Sequence, residues 1–182
     1  MKPSTGNEAL QVVACNPQCH GEAILAIFND AILNSTALYD YKPRTIEMIQ
    51  QWFETKTQSG FPVIGVENAQ GKLLGFASYG TFRSFPAYKY TVEHSVYVDG
   101  NSRGQGIGTR LLQEVIAAAQ RQELHCLVGG IDAANSVSIR LHEKLGFEYC
   151  GAIRHAGYKF GRWLDLAFYQ LILQTPAEPT DG

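Results

Sequence analysis

The densest concentration of chemistry-bearing residues lies mid-chain. There Arg103-Gly104-Gln105-Gly106-Ile107-Gly108-Thr109 follows the apolar run Val96-Tyr97-Val98 and opens a segment with Ile107, Leu111, Val115 and Ala119 at helical spacing. Glycines let a backbone approach a ligand closely, and the first N–H groups of a helix lack intrahelical acceptors and carry the positive end of the helix dipole. A strand, a glycine loop and a helix start, in that order, hold phosphate. Two better-known phosphate loops fit less well. A dinucleotide fingerprint sets its glycines directly after the first strand of a βαβ unit, whereas Asp99-Gly100-Asn101-Ser102-Arg103 intervenes here; a P-loop needs Gly-Lys followed by Ser or Thr, which is absent. A purely structural turn does not account for three alternating glycines beside an arginine at a helix start.

Upstream of that loop, Glu93 sits inside the strand-like stretch Thr91 to Val98. A carboxylate in such an apolar setting has a raised pKa and can act as a base, unless a cation such as Lys89 pairs with it at a sheet edge. The neighbouring His94 points to the other face of a regular strand. The segment Phe82 to Tyr90 offers aromatic walls and two cations, which suits a small acid; Arg83 is either a two-pronged grip for a carboxylate or a solvated loop charge. Asn135 immediately precedes a short helix and is well placed to cap it, and His142 lies on that helix. Cys15, Cys19 and His20 invite a metal reading, but no second spaced pair of ligands accompanies them, and a local turn around Pro17 is the simpler account.

Periodicity supplies the elements that must position these residues. Leu10 to Ala14 reads as a strand, Ile24 to Ile32 as an amphipathic helix, and Ile46, Ile49, Trp52 and Phe53 as a second helix ending near Ser59-Gly60. Val63 to Glu67 and Leu73 to Tyr79 form a hairpin across Asn68-Ala69-Gln70-Gly71. After the strand Thr91 to Val98 come a helix over Gly104 to Gln120, a strand over Leu127 to Ile131 and a helix over Ser136 to Leu145. Strands around Glu148 to Arg154 and Leu164 to Leu173 complete the pattern. Hairpin strands first and helix crossovers later imply an α/β (α+β) mixed sheet with helices on its faces. The 182 residues fit one domain, residues 10–173, between a flexible extension at 1–9 and a flexible tail at 174–182.

Composition narrows the function. With 15 Lys+Arg against 17 Asp+Glu the formal charge is −2, which gives no broad basic field for nucleic acid or an anionic membrane. The first residues lack a signal-peptide core, and no apolar run approaches the roughly 18 residues of a membrane span. A soluble cytoplasmic protein whose four cysteines are thiols is expected.

In this setting Arg-x-x-Gly-x-Gly on a strand-loop-helix resembles the pyrophosphate signature of the GNAT acetyltransferases. The stretches Thr91 to Val98, Asn135 to Phe147 (NSVSIRLHEKLGF) and Gly157 to Asp165 (GYKFGRWLD) resemble the phosphinothricin and methionine sulfoximine N-acetyltransferases within that superfamily, over about residues 10 to 173. The resemblance implies one mixed, mostly antiparallel sheet of six to seven strands with about four helices. It implies acetyl-CoA as co-substrate and no metal. Val96, Tyr97 and Val98 would pair with the pantetheine arm and supply an oxyanion donor. Arg103, Gly104, Gln105, Gly106, Ile107, Gly108 and Thr109 would hold the pyrophosphate, with Asn135 and Lys144 completing the cleft. Ser84, Phe85, Pro86, Glu93, His94 and Ser95 would meet the substrate, joined by Tyr39 and by Tyr158-Lys159-Phe160, the last from the second subunit of a homodimer. Glu93 would be the general base, and His142 stands where many members place a tyrosine that protonates the departing thiolate. The expected substrate is a small amine such as phosphinothricin, methionine sulfoximine or methionine sulfone. The rivals are a protein or peptide N-terminal acetyltransferase, with an open and often acidic groove, and a non-catalytic acetyl-CoA sensor.

Overall fold

The computed structural model describes residues 10–181, so the expected flexible extension at residues 1–9 lies outside the described residues. Strand β1 (Gln11–Ala14) leads into helix α1 (Pro17–Asn34), whose start is fixed by the Asn16 side chain accepting the Cys19 N–H at 2.8 Å and by Pro17 in the first turn. Thr45 caps α2 (Ile46–Gln58) in the same way. Strands β2 (Val63–Glu67) and β3 (Leu73–Thr81) are joined by a turn in which Asn68 Oδ1 accepts the N–H groups of Gln70 and Lys72. Then follow β4 (Thr91–Val98), α3 (Ile107–Arg121), β5 (Cys126–Asp132), α4 (Ser136–Lys144), β6 (Glu148–Lys159) and β7 (Arg162–Ile172).

All seven strands join one sheet in the order β1-β2-β3-β4-β5-β7-β6, with β4 and β5 parallel and every other pair antiparallel. The mixed, mostly antiparallel sheet with four helices matches the expectation. Two boundaries move. Helix α3 starts at Ile107 rather than Gly104, because Gly104 and Gly106 both stand at φ +79°, outside the right-handed helical region. Strands β6 and β7 run past Arg154 and begin before Leu164, because Phe160 and Gly161 at φ +51° and +74° close a tight two-residue hairpin.

The sheet separates two apolar cores. On one side α3 buries Ile107, Leu111, Leu112 and Val115 against Val66, Val92 and Leu127; on the other, α1 and α2 bury Ile24, Phe28, Ile49 and Phe53 against Phe76 and Tyr97. Each such side chain contributes about 1.5–3 kcal/mol by leaving water. Strand β4 is pinned from both sides, Val92 facing α3 while the Tyr97 ring lies 5.0 Å from Phe28 and 5.4 Å from Phe76. Beyond β7, His125 Nδ1 donates to the Thr175 carbonyl at 2.8 Å and the Thr180 N–H donates to the Tyr90 hydroxyl at 3.2 Å, so the expected loose tail is tied to the body at these two points. No helix among the described residues is long and apolar enough to cross a membrane.

Candidate active site

The sheet opens in its middle. Strand β4 pairs with β5 only where Thr91, Val92 and Glu93 face Cys126, Leu127 and Val128, although β4 continues to Val98 and β5 to Asp132. From His94 onward the β5-facing edge of β4 therefore carries backbone groups with no strand partner, a ready edge for an extended ligand. At the end of this edge a short 3₁₀ turn, Gly100–Ser102, leads into the glycine loop. Helix α3 has Gly106 as its N-cap with no side-chain cap, leaving its first N–H groups open. The three glycines divide. A Cβ at Gly104 or Gly106 would meet nothing within 4 Å, whereas one at Gly108 would lie 3.3 Å from Leu141 Cδ2, so Gly108 serves close packing of α3 against α4. Ile107 is buried and presents only backbone to the loop; Gln105 is exposed and Thr109 half-buried. Exposed Arg103 reaches Asp30 at 3.5 Å.

At the crotch of the fork, consecutive residues of β4 face opposite ways. Glu93 is half-buried, and burial pushes its carboxyl pKa up, opposed by the charge of Arg83. Among the described residues no cation lies within 4 Å of it; Lys89 instead stacks over Tyr90 at 5.1 Å. His94 points to the α4 side, where His94 Nε2 lies 2.9 Å from His142 Nε2 and the two rings stack at 5.1 Å. His142 Nδ1 lies 2.7 Å from the Ser138 carbonyl, which can only accept, so the proton sits on His142 Nδ1. Neutral His142 then accepts from His94 through Nε2, and His94 Nδ1 is left buried without a partner among the described residues. Burial holds both rings neutral, pulling His94 down to about 3 with help from the nearby His142, and His142 down despite its Ser138 bond.

The remaining expected residues are distributed around this centre. Asn135 caps α4 by accepting the Ser138 N–H at 3.1 Å, and exposed Lys144 lies at the other end of the same helix. Ser84, Phe85 and Pro86 form an exposed loop that lines a cavity of about 210 Å³ with Phe61, Tyr88 and Val92, on the face of β4 away from Glu93. Arg83 is exposed, stacks on Phe82 at 4.3 Å and donates to the Phe82 carbonyl at 2.8 Å. Ser95 lies two residues along from Glu93, on the same face of the strand. Tyr39 packs on Gly157, whose added Cβ would lie 2.9 Å from the ring. Of the residues that invite a metal reading, His20 Nε2 bonds Glu67 at 2.9 Å and Cys15 packs beside Gly65.

A forked strand pair followed by a glycine-bearing helix start also defines a known family, and the model of the acetyltransferase (GNAT) family matches residues 25–147. The chain belongs to the GNAT acetyltransferases. The L-methionine sulfoximine/L-methionine sulfone acetyltransferase of Pseudomonas aeruginosa is 48% identical over 150 residues, 82% of this chain and 87% of the relative. Among solved structures, a ribosomal-protein-alanine N-acetyltransferase from Brucella melitensis is 44% identical with a TM-score of 0.87, covering 90% of this chain and 99% of that one. A phosphinothricin acetyltransferase from Sinorhizobium meliloti, in complex with AcCoA, is 32% identical with a TM-score of 0.90, covering 95% and 94%.

Within this GNAT fold the structure adds residues that the sequence reading missed. A Cβ at Gly129 would lie 3.1 Å from His94 Cε1 and 3.2 Å from His142 Nε2, and one at Gly130 would lie 3.0 Å from Glu93 Oε1. These adjacent glycines make room on opposite faces of β5 for the two groups at the crotch. Their signal was present, since glycine inside a strand marks a close approach. Asp132, with Thr36 and Arg162 bonded to it, carried no comparable signal.

Proposed function

We propose that this GNAT enzyme moves the acetyl group of acetyl-CoA to the amino group of a small amino-acid analogue of the phosphinothricin, methionine sulfoximine or methionine sulfone type. The observation that carries the reading is the fork itself, with an open strand edge, an uncapped helix start beyond it and the Glu93 carboxyl at its crotch. The residues present fit the co-substrate, because Gly104 and Gly106 leave open space where any Cβ would intrude. Acetyl-CoA supplies an activated thioester. Glu93 takes a proton from the substrate ammonium, directly or through water, and its raised pKa makes it a better base than an exposed carboxylate. A β4 backbone N–H from Val96 to Val98 donates to the thioester oxygen as negative charge grows there. His142 is the titratable group on the other side of the crotch. We assign it to the passage of a proton to the leaving sulfur: its Nε2 lone pair, which the His94 N–H occupies in the resting enzyme, takes the second proton that the attacking nitrogen sheds as the C–N bond forms and gives it to the sulfur as the C–S bond breaks. Arg103 and Lys144 bring positive charge to the phosphates, and Asn135 borders the cleft.

A homodimer would cover apolar surface that the β6–β7 hairpin exposes at Phe160 (57%) and Trp163 (57%). The cytoplasm, which supplies acetyl-CoA and keeps thiols reduced, suits the four free cysteines.

The similarity to the Brucella enzyme favours a second reading, acetylation of a protein N-terminus. The segment carrying Tyr39, clamped to the β6–β7 hairpin, argues instead for a small acceptor. Mass spectrometry of products from a panel of methionine sulfoximine, methionine sulfone, phosphinothricin and an alanine-terminated peptide separates the two. We expect acetylation of the small acids. Acetylated peptide beside untouched small acids would overturn the choice, and absence of any amine-dependent thiol release would favour a sensor.

A further inference from the structure

Asp132 is the most completely satisfied carboxylate near the fork. Its side chain is 3% exposed, Oδ2 accepts from Thr36 Oγ1 at 2.6 Å and from Arg162 Nη2 at 3.0 Å, and Oδ1 accepts the Ala134 N–H at 3.0 Å. These bonds, with the charge of Arg162, outweigh its burial and hold its pKa below the usual carboxylate value. The Arg162 side chain, by contrast, is 49% exposed, and among the described residues Asp132 is the one side chain it bonds. A guanidinium has five N–H donors, so most of its fork is left for something else. Beside this pair stands the Tyr39 hydroxyl, which is buried and has no hydrogen-bond partner among the described residues, and whose surroundings include Asp132, Arg162 and Asp165. The segment between α1 and α2 that carries Tyr39 is fastened to the β6–β7 hairpin, since Lys159 Nζ donates to the carbonyls of Ser35 at 2.9 Å and Leu38 at 2.6 Å, and the Tyr41 hydroxyl donates to the Tyr158 carbonyl at 2.7 Å.

The position of this cluster gives it meaning. Gly130 and Asp132 lie on the same face of β5, about 7 Å apart along the strand. The Glu93 carboxyl lies over Gly130, so the base and the carboxylate that anchors Arg162 belong to strand positions one repeat apart on one face of the sheet. In an α-amino acid the amine and the carboxylate are separated by a single carbon. With hydrogen bonds of about 3 Å at each end, such a molecule spans a gap of roughly 7–9 Å.

We propose that Arg162, held by Asp132, takes the α-carboxylate of a free amino-acid substrate while the Tyr39 hydroxyl donates to the same group, so that the enzyme selects free amino acids over amines that lack the carboxylate. This rests on the acetyl-transfer reading above and assigns the carboxylate to Arg162, which a buried carboxylate anchors, rather than to Arg83, which stacks on Phe82 in an exposed loop.

The experiment measures kcat/KM for methionine sulfone and for its carboxylate-free analogue 3-(methylsulfonyl)propylamine, in the wild type and in R162Q, R162K, Y39F and R83Q. The ratio of the two values reports carboxylate recognition alone. We expect R162Q to lower that ratio on the order of 10- to 100-fold, chiefly through KM for methionine sulfone, as loss of a charge-assisted bond implies. R162K should lower it less and Y39F several-fold. Equal losses for both amines in R162Q and R162K would show a clamp and overturn the proposal, as would a ratio that falls in R83Q and holds in R162Q. A wild type that acetylates the carboxylate-free amine as well as methionine sulfone would overturn it while leaving acetyl transfer intact; acetylation of neither would remove both.

Discussion

Replacing Gly130 with alanine tests the position of the base without touching the base. The added Cβ would stand 3.0 Å from Glu93 Oε1 and 3.3 Å from Leu166 Cδ1. Ordinary contact needs about 0.4 Å more, and the carboxyl, at the end of a flexible side chain, is the partner that yields. Turning it off its preferred rotamer costs about 0.5–1.5 kcal/mol, which for a domain of this size lowers the melting midpoint by about 1–6 °C. The catalytic effect is larger, because a displacement of this order at a reacting group costs on the order of tenfold or more in rate. Steady-state kinetics with methionine sulfone, beside thermal melting, should therefore show a large fall in kcat with a small fall in stability. Gly129→Ala is the matched control on the other face, where the crowded atoms are His94 Cε1 and His142 Nε2, buried rings with little room to move. It should destabilise the fold by about 1–3 kcal/mol. If Gly130→Ala keeps wild-type kcat while Gly129→Ala behaves as described, the carboxyl is not where proton transfer happens and the case for Glu93 collapses.

Three further outcomes follow from the same geometry. Burial raises the Glu93 pKa above its ordinary 4.5, so the folded chain binds that proton more tightly than the unfolded chain and loses stability as pH rises through that interval. Glu93→Gln should raise the melting midpoint at neutral pH, lower kcat on the order of 10²–10⁴-fold and abolish the acidic limb of the kcat/KM profile. His94 has the opposite sign: its pKa falls from 6.5 to about 3, so the unfolded chain takes up the proton first and stability drains away as pH falls between those values. Acid titration of the melting midpoint should be flatter in His94→Gln. Gly106→Asp, which sets a carboxylate at the open helix start, should weaken acetyl-CoA binding by calorimetry at least tenfold. Gly108→Ala, pressed against Leu141, should move the melting midpoint more than the affinity.

Much of this molecule was readable before any coordinates. Helical spacing and strand alternation are local properties, and they located every helix and strand; the glycine loop was visible because its residue types are needed for a backbone that side chains would spoil. What stayed hidden depends on pairing over long separations. Nothing in Thr91 to Val98 reveals that β5 leaves β4 after three residues, since alternation along one strand says nothing of where its partner ends. The bond between His94 and His142 spans 48 residues, and the one between Thr36 and Asp132 spans 96. Neither has a spacing to recognise.

The fork nevertheless explains why such different residues had to be neighbours in sequence. A strand that loses its partner halfway frees one edge at the level where side chains of its two faces stand back to back. Glu93 and His94, adjacent in the chain and opposite in direction, thereby reach the crotch from two sides, while the edge beyond them is free to bind. Moving the glutamate by one residue would carry it to the α4 side, against His142 and Phe147, where no open edge of the acceptor face could meet it. The sequence order Glu-His is thus a consequence of where the sheet splits. A variant with the two residues exchanged should fold less stably and lose acetyl transfer; retained activity would show that proton transfer does not depend on which face of β4 the carboxyl occupies.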